Sequence, residues 1–73
     1  MVTAGTHSVP ATLSAREIGC LRLSALGIGD EEISHELRIS RWTVRFHLQN
    51  ACRKLLATNR RHAIYMAAKR SII

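Results

Sequence analysis

Between Arg41 and Leu56 the chain sets Trp42, Arg45, Phe46, Gln49 and Arg53 at spacings that a helix collects on one side. Turning each residue by ~100° places Val44, Leu48, Ala51 and Leu55 within about 60° of arc, a stripe suited to burial, and the first set on the adjacent arc, roughly 100° wide. None of the five is needed to complete a core. Guanidinium and amide groups on such an arc have donors and acceptors that match base edges, and their neighbours can grip phosphates. Nucleic-acid recognition is therefore the first chemistry to test against the rest of the chain.

Charge points the same way. The formal net charge is +6, and all five acids (Glu17, Asp30, Glu31, Glu32 and Glu36) precede Leu37, whereas nine Lys or Arg and no acid follow Glu36. This segregation concentrates a positive field on the C-terminal half, where a polyanion is drawn in and held by counterion release. A solvated basic surface that only aids solubility is the plain alternative.

Other chemistries find little support. Cys20 and Cys52 form no CxxC, and the four histidines (His7, His35, His47 and His62) show no ligand spacing with them, so no metal site is expected. No second carboxylate is placed to pair with Glu17 or Glu32 for acid–base work, and no catalytic residue or cofactor is assigned. At 73 residues a single small core is expected. With 47% hydrophobic and 22% charged residues the chain is too apolar for a disordered tail and too interrupted for a membrane span. The first twelve residues lack a basic stretch followed by an apolar run, and a cytoplasmic setting is expected.

The elements that must position the basic arc are helices. Residues 1–12 lack periodicity and are expected to form a flexible leader, with the folded domain spanning 13–73. Ser14 and Glu17 make a capping box, with a hydrophobic staple from Leu13 to Ile18, and open a helix that Gly27 ends. Ile18, Leu21 and Ala25 form its inward stripe, which Cys20 and Leu26 widen. Asp30 is placed to cap a second, brief helix carrying Glu31 and Glu32 in its first turn and Ile33 and Leu37 on its apolar edge. Ser34 is small, as a close helix crossing requires. Ser40 caps the third helix, from about Arg41 to Leu56. Thr58 or Asn59 caps a fourth, from Arg60 to about Arg70. Ala63, Met66 and Ala67 lie on one of its faces and Ile64 and Ala68 on another, which implies two packing partners. The expected class is all-α, four helices, the second and third joined by the tight connection Arg38, Ile39, Ser40 in the manner of a helix-turn-helix.

From Leu13 to Ile64 the sequence resembles, without a gap, the C-terminal domain of LuxR-type transcription regulators. The pieces that carry the resemblance are LSARE (Leu13–Glu17), Glu32 with Ile33, Ile39 with Ser40, Thr43 with Val44, His47 with Leu48, Asn50, RKL (Arg53–Leu55) and Asn59 with Arg60. The resemblance implies a four-helix, helix-turn-helix bundle that binds double-stranded DNA as a dimer, with the third helix in the major groove and the fourth at the two-fold interface.

Carried over position by position, it implies base contacts from Arg45, Phe46 and Gln49 and backbone contacts from Thr43 and Lys54. Arg45 would suit guanine, Gln49 adenine and Phe46 a thymine methyl. Arg41, Trp42, Arg53, Arg60 and Arg61 are added as backbone contacts from charge and position, although Trp42 could instead cover Ile39 and the helix start. Ile64, Ala67 and Ala68 are the expected dimer contacts. Arg38 stands where the family commonly has glycine, in a turn that favours a left-handed backbone, and a cost of ~1 kcal/mol is expected there; Leu56 replaces a frequent glycine after the third helix.

The functional expectation is sequence-specific DNA binding in transcription regulation, as a homodimer on a palindrome. The alternatives are a stand-alone module that pairs with a full-length LuxR-type regulator and blocks it, and a cationic amphipathic membrane binder. The first would not need the basic arc; the second would fold only on lipid.

Overall fold

A computed structural model of the chain describes residues 12–73. It contains α1 (Ala15–Ala25), α2 (Asp30–Leu37), α3 (Arg41–Leu55) and α4 (Arg60–Lys69). The leader expected over 1–12 lies, apart from Thr12, outside the described residues.

The starts of α1, α3 and α4 follow from side chains that satisfy otherwise free amides. The Ser14 hydroxyl accepts from the Glu17 amide at 3.1 Å while Glu17 Oε1 accepts from the Ser14 amide at 2.8 Å, completing the capping box. Ser40 accepts from the Thr43 amide at 3.0 Å, and Asn59 from the His62 amide at 2.8 Å. α2 departs from expectation. Its cap is Gly29, which has no side chain to offer, and Asp30 is the first helical residue with its carboxylate committed elsewhere.

All four helices close by one device. Gly27, Arg38, Leu56 and Ser71 take positive φ of 86°, 58°, 57° and 60°. Each donates its amide to the carbonyl three residues back, at Ser24, His35, Arg53 and Ala68. The following residue donates five back: Ile28 to Leu23, Ile39 to Ser34, Ala57 to Cys52 and Ile72 to Ala67. Ile28, Ile39, Ala57 and Ile72 then pack against the core. This is the Schellman arrangement with its hydrophobic contact. Only the first closure uses glycine, the residue that adopts this backbone without steric cost.

The core consists of Cys20, Leu21, Ile33, Val44, Leu48, Ala51, Leu55, Ala63 and Ala67. α3 runs through its centre, packing against each of the other three helices, and buries the four residues its periodicity marks: Val44, Leu48, Ala51 and Leu55. On α1 the buried residues are Glu17, Cys20 and Leu21, with Ile18 half-buried. Ala25 and Leu26, expected inward, are exposed, Leu26 to 75%, because the chain turns away at Gly27 before their side of the helix meets a neighbour. Ser34 is buried where α2 packs, its hydroxyl donating to the Glu31 carbonyl. Arg16 of α1 donates to the Leu37 carbonyl at 3.0 Å, satisfying one free acceptor at the end of α2.

Candidate nucleic-acid interface

The exposed face of α3, adjacent to its buried stripe, carries the expected arc. Arg41, Trp42, Arg45, Phe46, Gln49 and Arg53 are all exposed, Trp42 to 67% and Phe46 to 59%. Two aromatic rings left this far in water contribute little to folding, since apolar surface stabilises the fold only when removed from solvent. Thr43, at the first turn, is half-buried with its hydroxyl 2.9 Å from that of Ser40. His47 is half-buried beside Phe46, ring centroids 6.0 Å apart.

Arg45 is held on two sides. Its guanidinium lies 5.2 Å from the centroid of the Trp42 ring, one helical turn earlier, in cation–π range. Its Nε donates to Asp30 Oδ2 at 3.5 Å. The same carboxylate accepts both Nη groups of Arg60, at 2.8 and 3.1 Å, a bidentate pair between the first residue of α2 and the first of α4. The hydrogen bonds from Arg60, reinforced by its charge and by Arg45 and only partly opposed by burial, hold the Asp30 carboxyl below its ordinary value. Gln49 shares with Arg45, Leu48, Cys52, Thr58, Asn59 and Arg60 a cleft between α3 and the start of α4.

Two of the cations expected on phosphates are engaged within the fold. Lys54 Nζ lies 2.9 Å from Glu17 Oε1 and 3.3 Å from the Thr12 carbonyl, on the side of α3 that meets α1. Glu17 is buried with a side chain only 5% exposed. Burial pushes its carboxyl up, but the Ser14 amide and Lys54 outweigh that and bring it below the usual glutamate value. Arg60 is bound to Asp30. Arg41 is 4.0 Å from Glu31, both well exposed, a weak contact. Arg53 and Arg61 are exposed and pair with no acid among the described residues. Of the three α4 positions expected at a partner, Ala68 is exposed and Ile64 half-buried, whereas Ala67 has no exposed surface. Packing of α4 onto the core puts Ala67 on the inner side, so it is corrected to a core residue.

The sequence reading missed the role of Asp30. A carboxylate just after Gly29 looks like a cap, and the residue that claims it stands thirty positions later. The charge segregation held the only available hint, since acids of the first half must face bases of the second. Among the described residues no group of three or more His, Cys, Asp or Glu is placed to hold a metal ion, and no helix is long and apolar enough to cross a membrane. Burial pushes both thiols, Cys20 and Cys52, above their ordinary values, which keeps them protonated and poorly nucleophilic.

With this geometry in hand, the chain can be set beside known proteins. Residues 11–67 match the luxR family of bacterial regulatory proteins, of the GerE type. The quorum sensing-dependent transcriptional regulator VjbR of Brucella ovis is 46% identical over 67 residues, covering 92% of this chain and 26% of VjbR. The transcriptional activator VanR of Vibrio anguillarum is 49% identical over 57 residues, covering 78% of this chain and 24% of VanR. This chain thus spans about a quarter of the length of such relatives. The solved structure of the transcription factor GerE superposes with a TM-score of 0.78 at 31% identity, over 84% of this chain and 92% of that one. The response regulator ChrA gives 0.80 at 36% identity, over 86% of this chain and 31% of ChrA. The family match over residues 11–67, together with these four helices, makes the chain a member of the LuxR family of bacterial transcription regulators, as its helix-turn-helix DNA-binding domain.

Proposed function

We propose that this domain binds a specific, palindromic DNA site as a symmetric dimer, with α3 in the major groove. Arg45, Phe46 and Gln49 contact base edges. Thr43, Arg41, Trp42, Arg53 and Arg61 contact the sugar–phosphate backbone. The observation that carries the reading is the division of α3: one side is wholly spent on the core, and the other exposes two aromatic rings and four basic or amide side chains. Arg45 and Gln49 have the donor and acceptor geometry for guanine and adenine, and Phe46 can press on a thymine methyl.

For dimerisation the available surface of α4 is Ile64 with Ala68, beside the exposed Tyr65. Alanine there allows a second helix to approach closely, and a two-fold pair of domains places two α3 helices about one turn of DNA apart. Lys54 and Arg60 are better read as framework residues, each already satisfied within the fold.

Selection of bound sequences from a random duplex pool tests the reading directly. The expected product is an inverted repeat with half-sites ~10 base pairs apart, centre to centre. Arg45→Ala and Gln49→Ala should each flatten the preference at one position per half-site. Ala68→Glu should leave a folded monomer by sedimentation that binds a single half-site weakly. Unchanged selection by both α3 variants would remove the groove assignment, and a monomeric parent chain bound to the repeat would remove the dimer.

A further inference from the structure

Asp30 belongs to none of the sets above, yet it touches the central side chain of the reading face. It stands at the first position of α2, with its side chain 17% exposed, and both of its oxygens are used: Oδ1 by one Nη of Arg60, Oδ2 by the other Nη and by Arg45 Nε. The backbone explains why it is free to do so. Gly29 occupies the cap position, so the carboxylate one residue later is not drawn to the amides of its own helix.

The consequence for Arg45 is geometric. A guanidinium on an exposed helix face ordinarily samples many rotamers, and each must be frozen when it docks on a base. Here Nε is directed at Asp30 and the guanidinium lies against Trp42. Its two Nη groups, the fork that pairs with guanine O6 and N7, donate to no acceptor among the described residues. Asp30 in turn is fixed by Arg60 from the far side.

We propose that Asp30 is a positioning residue for DNA specificity: anchored by Arg60, its carboxylate holds Arg45 by Nε so that the Nη fork faces a guanine of the half-site. This rests on the reading of Arg45 as a base contact given above. Arg60 is then the anchor of a relay rather than a phosphate ligand, and Trp42 is the second wall of the seat in which Arg45 sits. The carboxylate also repels the negatively charged backbone, so it trades some general affinity for direction.

The test uses the 73-residue chain and four proteins: parent, Asp30→Asn, Arg45→Ala and the double variant. Binding constants are measured on the selected site and on versions with each guanine of a half-site replaced. Arg45→Ala should abolish discrimination at one guanine. Asp30→Asn should weaken discrimination at that same guanine about three- to tenfold, a part of what a bidentate arginine supplies, and at no other. Its binding to unrelated DNA at low salt should be equal or tighter. In the Arg45→Ala background Asp30→Asn should change discrimination no further.

Should Asp30→Asn melt below the assay temperature, Asp30→Glu carries the comparison, since it keeps a carboxylate for Arg60 and displaces it by one methylene from Arg45. A uniform loss of affinity on all sequences, with the guanine preference intact, would reduce Asp30 to a structural ion pair and overturn the proposal. Arg45→Ala with unchanged preference would instead overturn the base-contact reading beneath it, and the two failures are told apart by which variant produces them.

Discussion

Lys54 Nζ sits 2.9 Å from Glu17 Oε1, joining the last turn of α3 to the cap of α1 by a carboxylate that the Ser14 amide also addresses at 2.8 Å. One buried oxygen thereby serves helix initiation and the α1–α3 junction at once. Removing its charge leaves Lys54 without its partner and weakens the cap. Glu17→Gln is expected to destabilise the domain by about 2 kcal/mol, between the loss of a cap and the breaking of a fully buried pair. That corresponds to a melting point lower by roughly 8–16 °C in a domain of this size. Thermal unfolding followed by circular dichroism measures it, and a loss under about 0.5 kcal/mol would show that the pair is solvated in solution.

Acid should act through the two carboxylates that pair with basic side chains across helices, Glu17 with Lys54 and Asp30 with Arg60. Glu17 and Asp30 both titrate below their ordinary values of 4.5 and 3.8 in the folded chain. A carboxyl depressed on folding contributes stability that is complete above its unfolded value and disappears as pH falls through the folded one. The denaturant midpoint should therefore be insensitive to these groups at neutral pH and decline below the ordinary carboxylate range. In Glu17→Gln the decline should be shallower. An identical acid profile for parent and variant would contradict the assignment.

Backbone strain supplies a test that leaves the exposed side of α3 alone. Leu56 adopts φ 57° with its side chain 83% exposed, so glycine there removes a steric cost without opening a cavity. Leu56→Gly is expected to raise stability by up to about 1 kcal/mol, the usual penalty for a side chain in the left-handed region less the extra freedom glycine gives the unfolded chain. Gly19 offers the complementary change. It lies within α1, and a Cβ there would meet the Leu37 methyls at 3.9 and 4.0 Å, ordinary contact. Gly19→Ala should stabilise by about 1 kcal/mol. Differential melts of the two variants decide both.

Adjacent cations should separate cleanly by role. Arg53 and Arg61 pair with no acid among the described residues, whereas Lys54 and Arg60, their immediate neighbours, are bound to Glu17 and Asp30. Arg53→Ala and Arg61→Ala are expected to leave the melting point nearly unchanged and to reduce the slope of log affinity against log salt by ~0.9 each. Lys54→Ala and Arg60→Ala should lower the melting point first. The paired measurement of salt slope and unfolding on four single variants checks the division, and equal slopes for all four would erase it.

Much of the fold and of the exposed arc is legible in the sequence itself. The buried stripe of α3, the capping box at Ser14 and Glu17, and the connection at Arg38, Ile39 and Ser40 depend on neighbours within a turn or two, and local pattern reports them faithfully. The exposed arc was legible for the same reason, as the remainder of a well-marked helix. What escaped was non-local. Asp30 looks like a cap because its partner lies on another helix, and nothing near Lys54 in sequence reveals that it pairs with the carboxylate of Glu17. Ala25 and Leu26 followed the inward period but fell at a helix end, where the chain departs before a neighbour arrives. Ala67 and Ala68 differ by 100° on the wheel, and only the packing of α4 shows which one the core takes.

The four helix closures carry a further consequence, for how such a chain can change over time. Each ends with a left-handed residue followed at once by an apolar anchor: Ile28, Ile39, Ala57 or Ile72. The left-handed position accepts Gly, Arg, Leu and Ser within this one molecule, so its identity is negotiable. The step between it and the anchor is not. An inserted or deleted residue would swing the anchor into solvent and misdirect the next helix, α3 included. Substitution is open to these connections and length variation is closed, so lineages of such a domain would drift in letters while keeping count.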